Sequence, residues 1–439
     1  MKRALRVTAA RALLLAALPL PAAAQALTLA AAADSALAAH PSLGSALARH
    51  EAALHARDIA RAARLPSASL GATVTRFEEP MVVAPLHSFD PRHPPSFDDA
   101  LVQGQIVVDY TLFDSGVRSS RTDGADARAE AAVFGLAAAE MDVIAEVARH
   151  YLAVLSARAV QAAALAQLHA MEEEYARAQE RLDAGTAPEL EVLRARASLQ
   201  DARVEETAAL RRAGLAGRAL ARTMGGTPDE LEGVSLADVV PRPGVPIDGT
   251  RTNPVVEAAR QAIRGAEAQL REERAGRMPR LDLRAALQDF GTVSGEHVTE
   301  WQTGIRLSWP VFTGGIRGAS IRRADAELRV AESEMATILL AVDAETDAAE
   351  SRVLEADERA AALESSIAQW EEVARIEALA LEAGAGVQSD LLRAQAGLFR
   401  ARAGHAQASY DAVLARIDLA RTQGVLSREW LNRSLEMWR

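Results

Sequence analysis

One passage occurs twice in this chain, and it decides the fold. "GIRLSWPVFTGGIR" covers residues 304–317 and "QIVVDYTLFDSGVR" covers residues 105–118, so the copies lie 304 − 105 = 199 residues apart. Both copies alternate apolar and polar residues, break at glycine and end on arginine. Alternation predicts a strand with one apolar face, and the glycine predicts a turn immediately after it.

The repeat extends far beyond this passage. "LDAGTAPELEVLRARASLQDAR" (182–203) aligns with "LEAGAGVQSDLLRAQAGLFRAR" (381–402), again 199 residues apart. Earlier in each half, "LPSASLGA" (65–72) aligns with "MPRLDLRA" (278–285) at an offset of 278 − 65 = 213. The larger offset means that the first copy has an insertion, in a stretch rich in proline and polar residues that we expect to be a longer loop. An internal duplication is therefore predicted.

Each half is predicted to contain one pair of strands, at about 66–77 and 103–113 in the first half and at about 280–290 and 301–312 in the second. Runs of about 11 residues with one apolar face suit a tilted membrane strand around a wet lumen. The same alternation also suits a soluble sheet with one buried face. The predicted lipid-facing aromatic residues are Tyr110, Phe113, Trp301, Trp309 and Phe312. The predicted strand-to-helix turns contain Asp114, Gly116, Gly314 and Gly315.

Four strands are too few to close a barrel, because known small barrels need about eight. An open sheet edge in lipid would leave backbone groups without hydrogen bonds. If these strands span a membrane, several chains must share one barrel, and two, three or four chains would give eight, 12 or 16 strands. Geometry alone does not choose among these numbers.

The rest of the chain is predicted to be mostly helical. Two long helices are expected at 118–183 and 317–382, each about 100 Å long at 1.5 Å per residue. Shorter return helices are expected at 188–224 and 388–424, and helices that open at Pro41 and Pro254 precede the strands. We expect each return helix to stack end to end on a pre-strand helix, so that the pair matches one long helix. The two repeats then span 27–225 and 253–425, with an equatorial linker at 226–252 and a periplasmic tail at 426–439.

Composition restricts the classes of function. Residues 1–24 have a basic start, a short apolar run and a small-residue cleavage site, which predicts a signal peptide. Its removal takes away four positive charges and changes the net charge from −11 to −11 − 4 = −15, which argues against a nucleic-acid partner. The chain has no cysteine. We find no catalytic motif and no metal-ligand spacing among its nine histidines, so we predict no enzyme activity, no metal and no cofactor.

At this point the sequence resembles the TolC-like outer-membrane factors over residues 27–425. The duplication, the "WPVFTGGIR" and "YTLFDSGVR" passages and the two helix-turn-helix passages carry the resemblance. It implies a homotrimer with long antiparallel helical hairpins and a shared 12-stranded barrel in outer-membrane lipid. It also implies an exit duct that serves an inner-membrane pump of the RND or ABC type through a periplasmic adaptor protein, in efflux or in type I secretion.

The resemblance also assigns roles to residues at the turns between long and return helices. It implies that Gly185, Thr186, Gly384 and Gly386 form the adaptor-docking tip. Acidic residues near these turns, Glu189, Glu191 and Asp390, would line the periplasmic entrance. Arg194 and Arg393 stand where the family's second acidic position is expected, so a mixed tip held by ion pairs is the alternative. Solvated helix-face charges are the simplest interpretation.

Two other classes fit parts of the sequence. A periplasmic adaptor also has a long hairpin, but it has one rather than two and usually carries an anchor. A secreted fibrous coiled coil would leave the four alternating strands unexplained. The sequence does not identify the exported substrate or the class of pump.

Overall fold

The structure, a computed structural model, describes residues 26–87, 90–227, 231, 233–242 and 253–438. The predicted signal peptide, 1–24, lies outside these residues. In chain order the helices and strands are α1 (Leu29–Ala39), α2 (Pro41–Ala62), β1 (Ser67–Val82), β2 (Phe97–Phe113), α3 (Val117–Asp183), α4 (Glu189–Thr223), β3 (Asp238–Pro241), α5 (Pro254–Ala275), β4 (Arg280–Thr292), β5 (His297–Ser308), α6 (Ile316–Glu382), α7 (Gln388–Thr422), α8 (Arg428–Ser434) and β6 (Leu435–Trp438).

The duplication is present in the fold. The long helices α3 and α6 each have 67 residues, the return helices α4 and α7 each have 35, and α2 and α5 each have 22. The starts of α3 and α6 are separated by the same offset as the repeated passage, and the starts of α2 and α5 are separated by the larger offset of the earlier matches. The expected class, mainly helical with a small antiparallel sheet and an internal repeat, is confirmed.

The four long strands form one antiparallel sheet in the order β1-β2-β4-β5. One row across the sheet runs from Leu70 to Ile106, Leu287 and Trp301. The two hairpins therefore join through β2 and β4, and β1 and β5 are left as edges without a strand partner among the described residues.

The two faces of the sheet differ in exposure. The apolar face is open, with Leu70 81% and Ile305 64% exposed. On the other face Val107 and Ala286, which are cross-strand neighbours, are only 3% and 5% exposed. From this difference in exposure we infer that the sheet curves, and we call its apolar face convex and its mostly polar face concave. An apolar convex face is the reverse of a water-soluble sheet, which covers its apolar side.

The strands begin and end at residues that differ from those predicted from the alternation of apolar and polar residues. β1 extends to Val82 and β2 begins at Phe97, so part of the proline-rich stretch is strand rather than loop. The pairing register shifts between Arg76 and Met81, and this irregularity includes Pro80, which cannot donate to a ladder. β5 runs from His297 to Ser308 rather than over 301–312, and it stops before Pro310, which also lacks a donor.

Each return helix ends against the pre-strand helix of the same half. A methyl group on Gly424, just after α7, would lie 2.6 Å from the Cα of Asn253, which caps α5. The Asn253 Nδ2 donates to the carbonyl of Thr422 at 2.9 Å, while its Oδ1 accepts from the Val255 N–H at 2.9 Å. In the first half a methyl group on Gly225 would lie 2.5 Å from the Cβ of Ala39, beside the start of α2. The structure thus places the two helices of each half end to end, at two positions that we call the helix joints.

The main apolar core lies at the height of the helix joints. It contains α1, the middle of α3, the C-terminal parts of α4 and α7, and α8. Tyr151 is fully buried there, and its hydroxyl lies 2.7 Å from the carbonyl oxygens of both Leu27 and Ala237. We call this region the equatorial layer. Within the described residues, none of the helices is apolar over a length that would cross a membrane.

The predicted tail is part of this layer. Residues 428–434 form α8, and β6 pairs antiparallel with β3 from the predicted linker. Trp430, Leu431 and Leu435 are buried in the core, which explains why the segment is ordered rather than free.

Candidate functional site: the ends of the two helical hairpins

The two hairpin turns share one backbone geometry. After α3, the Gly185 N–H donates to Leu182 and the Thr186 N–H donates to Arg181, both at 2.9 Å. After α6, the Gly384 N–H donates to Leu381 at 3.1 Å and the Ala385 N–H donates to Ala380 at 2.9 Å. This pattern closes a helix with a left-handed glycine, and both glycines have a positive φ (71° and 73°).

The glycines at the turns are required for different reasons. A methyl group on Gly185 or Gly384 would meet no atom within 4 Å, so only the positive φ demands glycine there. At Gly386 a methyl group would lie 2.7 Å from the Leu381 nitrogen, so close packing demands it. The Thr186 hydroxyl donates to the Arg181 carbonyl at 3.0 Å. Three of these four residues are exposed, and Gly386 is half-buried, so the turns present an open surface.

A buried ionic cluster lies just inside the tip. Glu174 of α3 is 1% exposed, and its carboxylate accepts from Arg177 Nε at 3.2 Å and Arg181 Nη2 at 3.1 Å. Gln388, the fully buried first residue of α7, donates its Nε2 to Glu174 Oε1 at 3.1 Å. Arg181 also lies 3.8 Å from Glu191 of α4. We call these five residues the tip cluster, and it joins the first hairpin to the second.

The other predicted entrance residues lie outside the tip cluster. Asp390 pairs with Arg393 of its own helix at 3.1 Å, and the Arg393 side chain is largely exposed. Glu189 and Arg194 are exposed, and they form no ion pair in the described chain. Of the five predicted residues, the structure therefore brings Glu191 into the network, leaves Asp390 and Arg393 as a pair on one helix, and leaves Glu189 and Arg194 as surface charges.

Four members of the tip cluster were missed by sequence reasoning. Glu174, Arg177 and Arg181 share one face of α3, because residues three, four and seven apart align on a helix. That spacing was a readable signal. The contact with Gln388 had none, because it depends on how the two hairpins pack. Counterparts in the second half, Val373 and Ala380, are uncharged, so the cluster occurs once per chain.

The strand-to-helix turns hold the other end of the hairpins. Asp114 accepts from the Gly116 N–H, the Arg118 N–H and Arg118 Nε, the last at 2.7 Å. Burial acts to raise the pKa of Asp114, but these hydrogen bonds and the Arg118 charge hold the pKa below its ordinary value. In the second half Gly314 and Gly315, both with positive φ, replace this arrangement.

The predicted aromatic residues fall into two groups. Trp301 is on β5 and is exposed on the convex face, in the row of Leu287. Phe113 ends β2 opposite Leu281, after an irregularity in the pairing that brings it onto the convex face. Trp309 and Phe312 lie beyond the end of β5, and Trp309 donates to the Arg277 carbonyl at 3.2 Å. Tyr110 is on the convex face and lies 5.9 Å from the Arg118 guanidinium.

Comparison with known protein families matches residues 32–226 and 250–425 to the outer membrane efflux protein family. The chain belongs to this family. The two matched ranges together cover most of the chain, and the resemblance inferred from the repeated passages is confirmed. Members of the family are transporters of the outer membrane, so this chain is an outer membrane efflux protein.

Individual relatives agree with this assignment. The chain is 24% identical to the outer membrane efflux protein BepC of Brucella suis over 338 residues, which cover 74% of this chain and 73% of BepC. It is 28% identical to the outer membrane protein OprJ of Pseudomonas aeruginosa over 67% of this chain and 62% of OprJ. The crystal structure of the outer membrane protein VceC of Vibrio cholerae is 20% identical and matches with a TM-score of 0.79, over 90% of this chain and 96% of VceC.

Proposed function

We propose that the chain forms a homotrimeric exit duct, which carries substrates from an inner-membrane pump across the periplasm and the outer membrane. In this assembly three four-stranded sheets close one 12-stranded barrel in lipid, and the helical hairpins continue it as a tunnel into the periplasm. Family membership supports the transport role. The trimer, the adaptor and the pump, of the RND or ABC type, are the finer part of the proposal.

The observation that carries the proposal is the sheet, which has an exposed apolar convex face and two edges without a strand partner among the described residues. A lipid environment accommodates the apolar face, and copies of the chain satisfy the edges. Neither an adaptor nor a fibrous coiled coil requires such a sheet.

The tip is the proposed contact with the periplasmic adaptor. Gly185, Thr186, Gly384 and Gly386 present a low surface without bulky side chains, which suits close approach by another helical hairpin. The acidic and basic residues beside it, Glu189, Glu191, Arg194, Asp390 and Arg393, are proposed to line the entrance.

The tip cluster is the proposed latch of the entrance. The hydrogen bond from Gln388 to Glu174 joins the first hairpin to the second within one chain, and Arg181 holds the Glu174 carboxylate in place, so opening requires the Gln388–Glu174 bond to break. Hydrogen bonds to charged groups contribute about 1.5–3 kcal/mol each, so three copies of the latch would hold the entrance closed at rest.

A cysteine experiment tests the trimer, because the chain has no native cysteine. A cysteine in place of Ser69 on β1 is combined with one at Gln302 or at successive concave-face positions of β5. Within one chain these strands are three spacings apart, about 14 Å, which is beyond the reach of a disulfide. We expect oxidation in outer membranes to give covalent dimers and trimers, but no larger species. Cross-linking that stops at dimers, or continues beyond trimers, would exclude the three-fold barrel.

Single-channel recording tests the latch. Replacement of Glu174 by Ala leaves Arg177 and Arg181 without their buried partner, so we expect longer or larger openings than in the wild type. Arg375→Ala is the matched control, since its exposed ion pair with Glu372 lies within α6, outside the proposed entrance residues, and does not join the hairpins. If both variants conduct alike, the tip cluster is not the latch.

Asp390→Asn tests the entrance charge in the same recordings. We expect weaker block by divalent cations at the periplasmic side, because a carboxylate is lost from each chain. Unchanged conductance and unchanged cation block would remove Asp390 from the entrance.

A further inference from the structure

Charge on the concave face of the sheet is concentrated at the end next to the helices. Concave positions are odd-numbered in β1 and β2 and even-numbered in β4 and β5, as the buried pair Val107 and Ala286 shows. The middle of this face carries one charge, Glu300, which lies 3.0 Å from His87. The other middle positions are uncharged: Ser69, Gly71, Gln103, Gln105, Ala286, Gln288, Gln302 and Gly304. The rows nearest the helices carry five charges, which we call the basal belt: Asp109, Arg280, Asp282, Arg284 and Arg306.

The ion pairs within the basal belt do not neutralise all of its arginines, so a net positive charge remains. Asp282 Oδ1 accepts from Arg280 Nε and from the Thr111 hydroxyl, both at 2.7 Å, so this carboxylate is engaged. Asp109 lies 3.9 Å from Arg284 Nη1, which is a loose contact between two half-exposed side chains. Arg306 stands opposite Asp282 in the register, yet it forms no ion pair or hydrogen bond within the described chain. Three arginines and two aspartates give 3 − 2 = +1 per chain.

Closure of the barrel would not neutralise Arg306. Its strand, β5, is an edge, and the neighbouring chain would place β1 beside it. The concave positions of β1 between Ser67 and Thr75 are Ser67, Ser69, Gly71, Thr73 and Thr75, none of which is acidic. A trimer would therefore carry three free copies of Arg306, and an excess of +3 in the belt, around one water-filled opening.

The geometry points to a second selectivity element in this duct: an anion-attracting ring at the base of the sheet, formed by Arg306 and Arg284. It rests on the proposed function, because the ring exists only when three chains close. The substrate class it favours is small anions and the negatively charged groups of larger cargo. Its sign is opposite to that of the acidic residues near the tip, so the two ends of the tunnel would favour different ions.

Physical reasons support a measurable effect. Low-dielectric walls concentrate the field of charges in a narrow passage, and exposed guanidinium groups attract permeating anions. Guanidinium does not lose its proton in proteins, so the effect of the ring is constant between pH 5 and 9. It weakens with salt, since the screening length falls from about 10 Å at 0.1 M to about 3 Å at 1 M.

Reversal potentials in planar bilayers test the ring. Full-length trimers are placed in a tenfold KCl gradient, and the chloride-to-potassium permeability ratio is compared for the wild type, Arg306→Gln and the double variant Arg284→Gln/Arg306→Gln. We expect the double variant to lower the ratio about three- to fivefold around 0.1 M salt, from six lost charges per trimer, and the difference to shrink at 1 M. Arg306→Lys keeps the charge and should keep the wild-type ratio.

Arg433→Gln is the matched control. This residue is exposed on α8 in the equatorial layer, away from the sheet, and its substitution removes the same charge. An equal change in Arg433→Gln and Arg306→Gln, or an unchanged ratio in the double variant with normal conductance, would overturn the ring and leave the duct intact. A folded oligomer without any conductance would overturn the ring and the duct together.

Discussion

At the scale of single residues, Asn253 has two tasks at a helix joint. Its Oδ1 caps the N-terminus of α5 through the Val255 N–H, and its Nδ2 satisfies the Thr422 carbonyl at the end of α7. The corresponding residue in the first half is His40, since 253 − 213 = 40. His40 caps α2 by accepting from the Ser42 N–H, but it forms no hydrogen bond to Thr223 in the described chain, where the Thr223 hydroxyl bonds His150, so His40 does not bridge the two helices.

Substitutions at Asn253 should separate these tasks. We expect Asn253→Asp to keep the cap and lose the bond to Thr422, and Asn253→Ala to lose both, with about 1–2 kcal/mol of stability lost in the alanine variant. Hydrogen exchange should rise at the end of α7 in both variants. His40→Ala is the control, and it should alter exchange only at the start of α2. A similar response of α4 to His40→Ala would contradict this assignment.

Asp114 provides a pH-dependent prediction. The pKa of its carboxyl is lower in the folded chain than the value of about 3.9 in an unfolded one, so its contribution to stability is complete above pH 3.9 and is lost as the pH falls through the folded value. We expect the wild type to exceed Asp114→Asn by about 1–2 kcal/mol at neutral pH. The difference in Tm should narrow below pH 4. A constant difference from pH 7 to pH 3 would show that charge is not the cause.

At the scale of elements, the repeated glycine after each return helix has two constraints. Gly225 and Gly424 both have a positive φ, and a methyl group on either would lie within 2.6 Å of an atom of the facing segment. The motifs "LARTMG" and "LARTQG" show the repetition, but only the structure shows that a residue just ahead of each pre-strand helix, Ala39 or Asn253, lies against the glycine.

Alanine at Gly424 should therefore cost more than the conformational strain of a positive φ alone, which is about 1–2 kcal/mol. Gly233 is the matched control, because its φ is 77° and a methyl group there meets nothing within 4 Å. We expect Gly424→Ala to lower the Tm of the purified oligomer clearly more than Gly233→Ala. Equal decreases in Tm for the two variants would show that the helix joint accommodates the added methyl group without further loss of stability.

Sequence reasoning found most elements of the fold because strong local signals mark them. Proline at the first turn of α2 and α5, and glycine at the hairpin turns, gave their ends within a few residues. It did not find α1, α8 or the pairing of β3 with β6, since these short segments are fixed by contacts with the core. The partners of Glu174 were likewise hidden, because Gln388 belongs to the other half of the chain and meets Glu174 only through the packing of the two hairpins.

At the scale of the whole molecule, the C-terminal segment closes the equatorial layer. Trp430, Leu431 and Leu435 are buried in the same apolar cluster as residues of α1 and α3, so these side chains belong to the structural core. We expect Trp430→Ala to destabilise the assembly by about 3–5 kcal/mol, as is usual for a large side chain removed from a core. Dissociation of the oligomer on heating in detergent is the measurement.

Arg433→Ala, on the exposed side of the same helix, is the control for Trp430 and should dissociate like the wild type. If truncation after residue 425 also left the dissociation temperature unchanged, the segment would be a free tail after all.

The helix joints have a mechanical consequence for the assembly. In each half, one continuous helix, α3 or α6, lies beside two shorter helices that are stacked end to end. The joints between the shorter helices lie at the height of the main core. A force applied to the periplasmic end can then change the angle between the two stacked helices, whereas the continuous helix must bend. Distortion would fade at this height before it reaches the lipid, so the periplasmic end could reshape itself while the wall of the pore stays still.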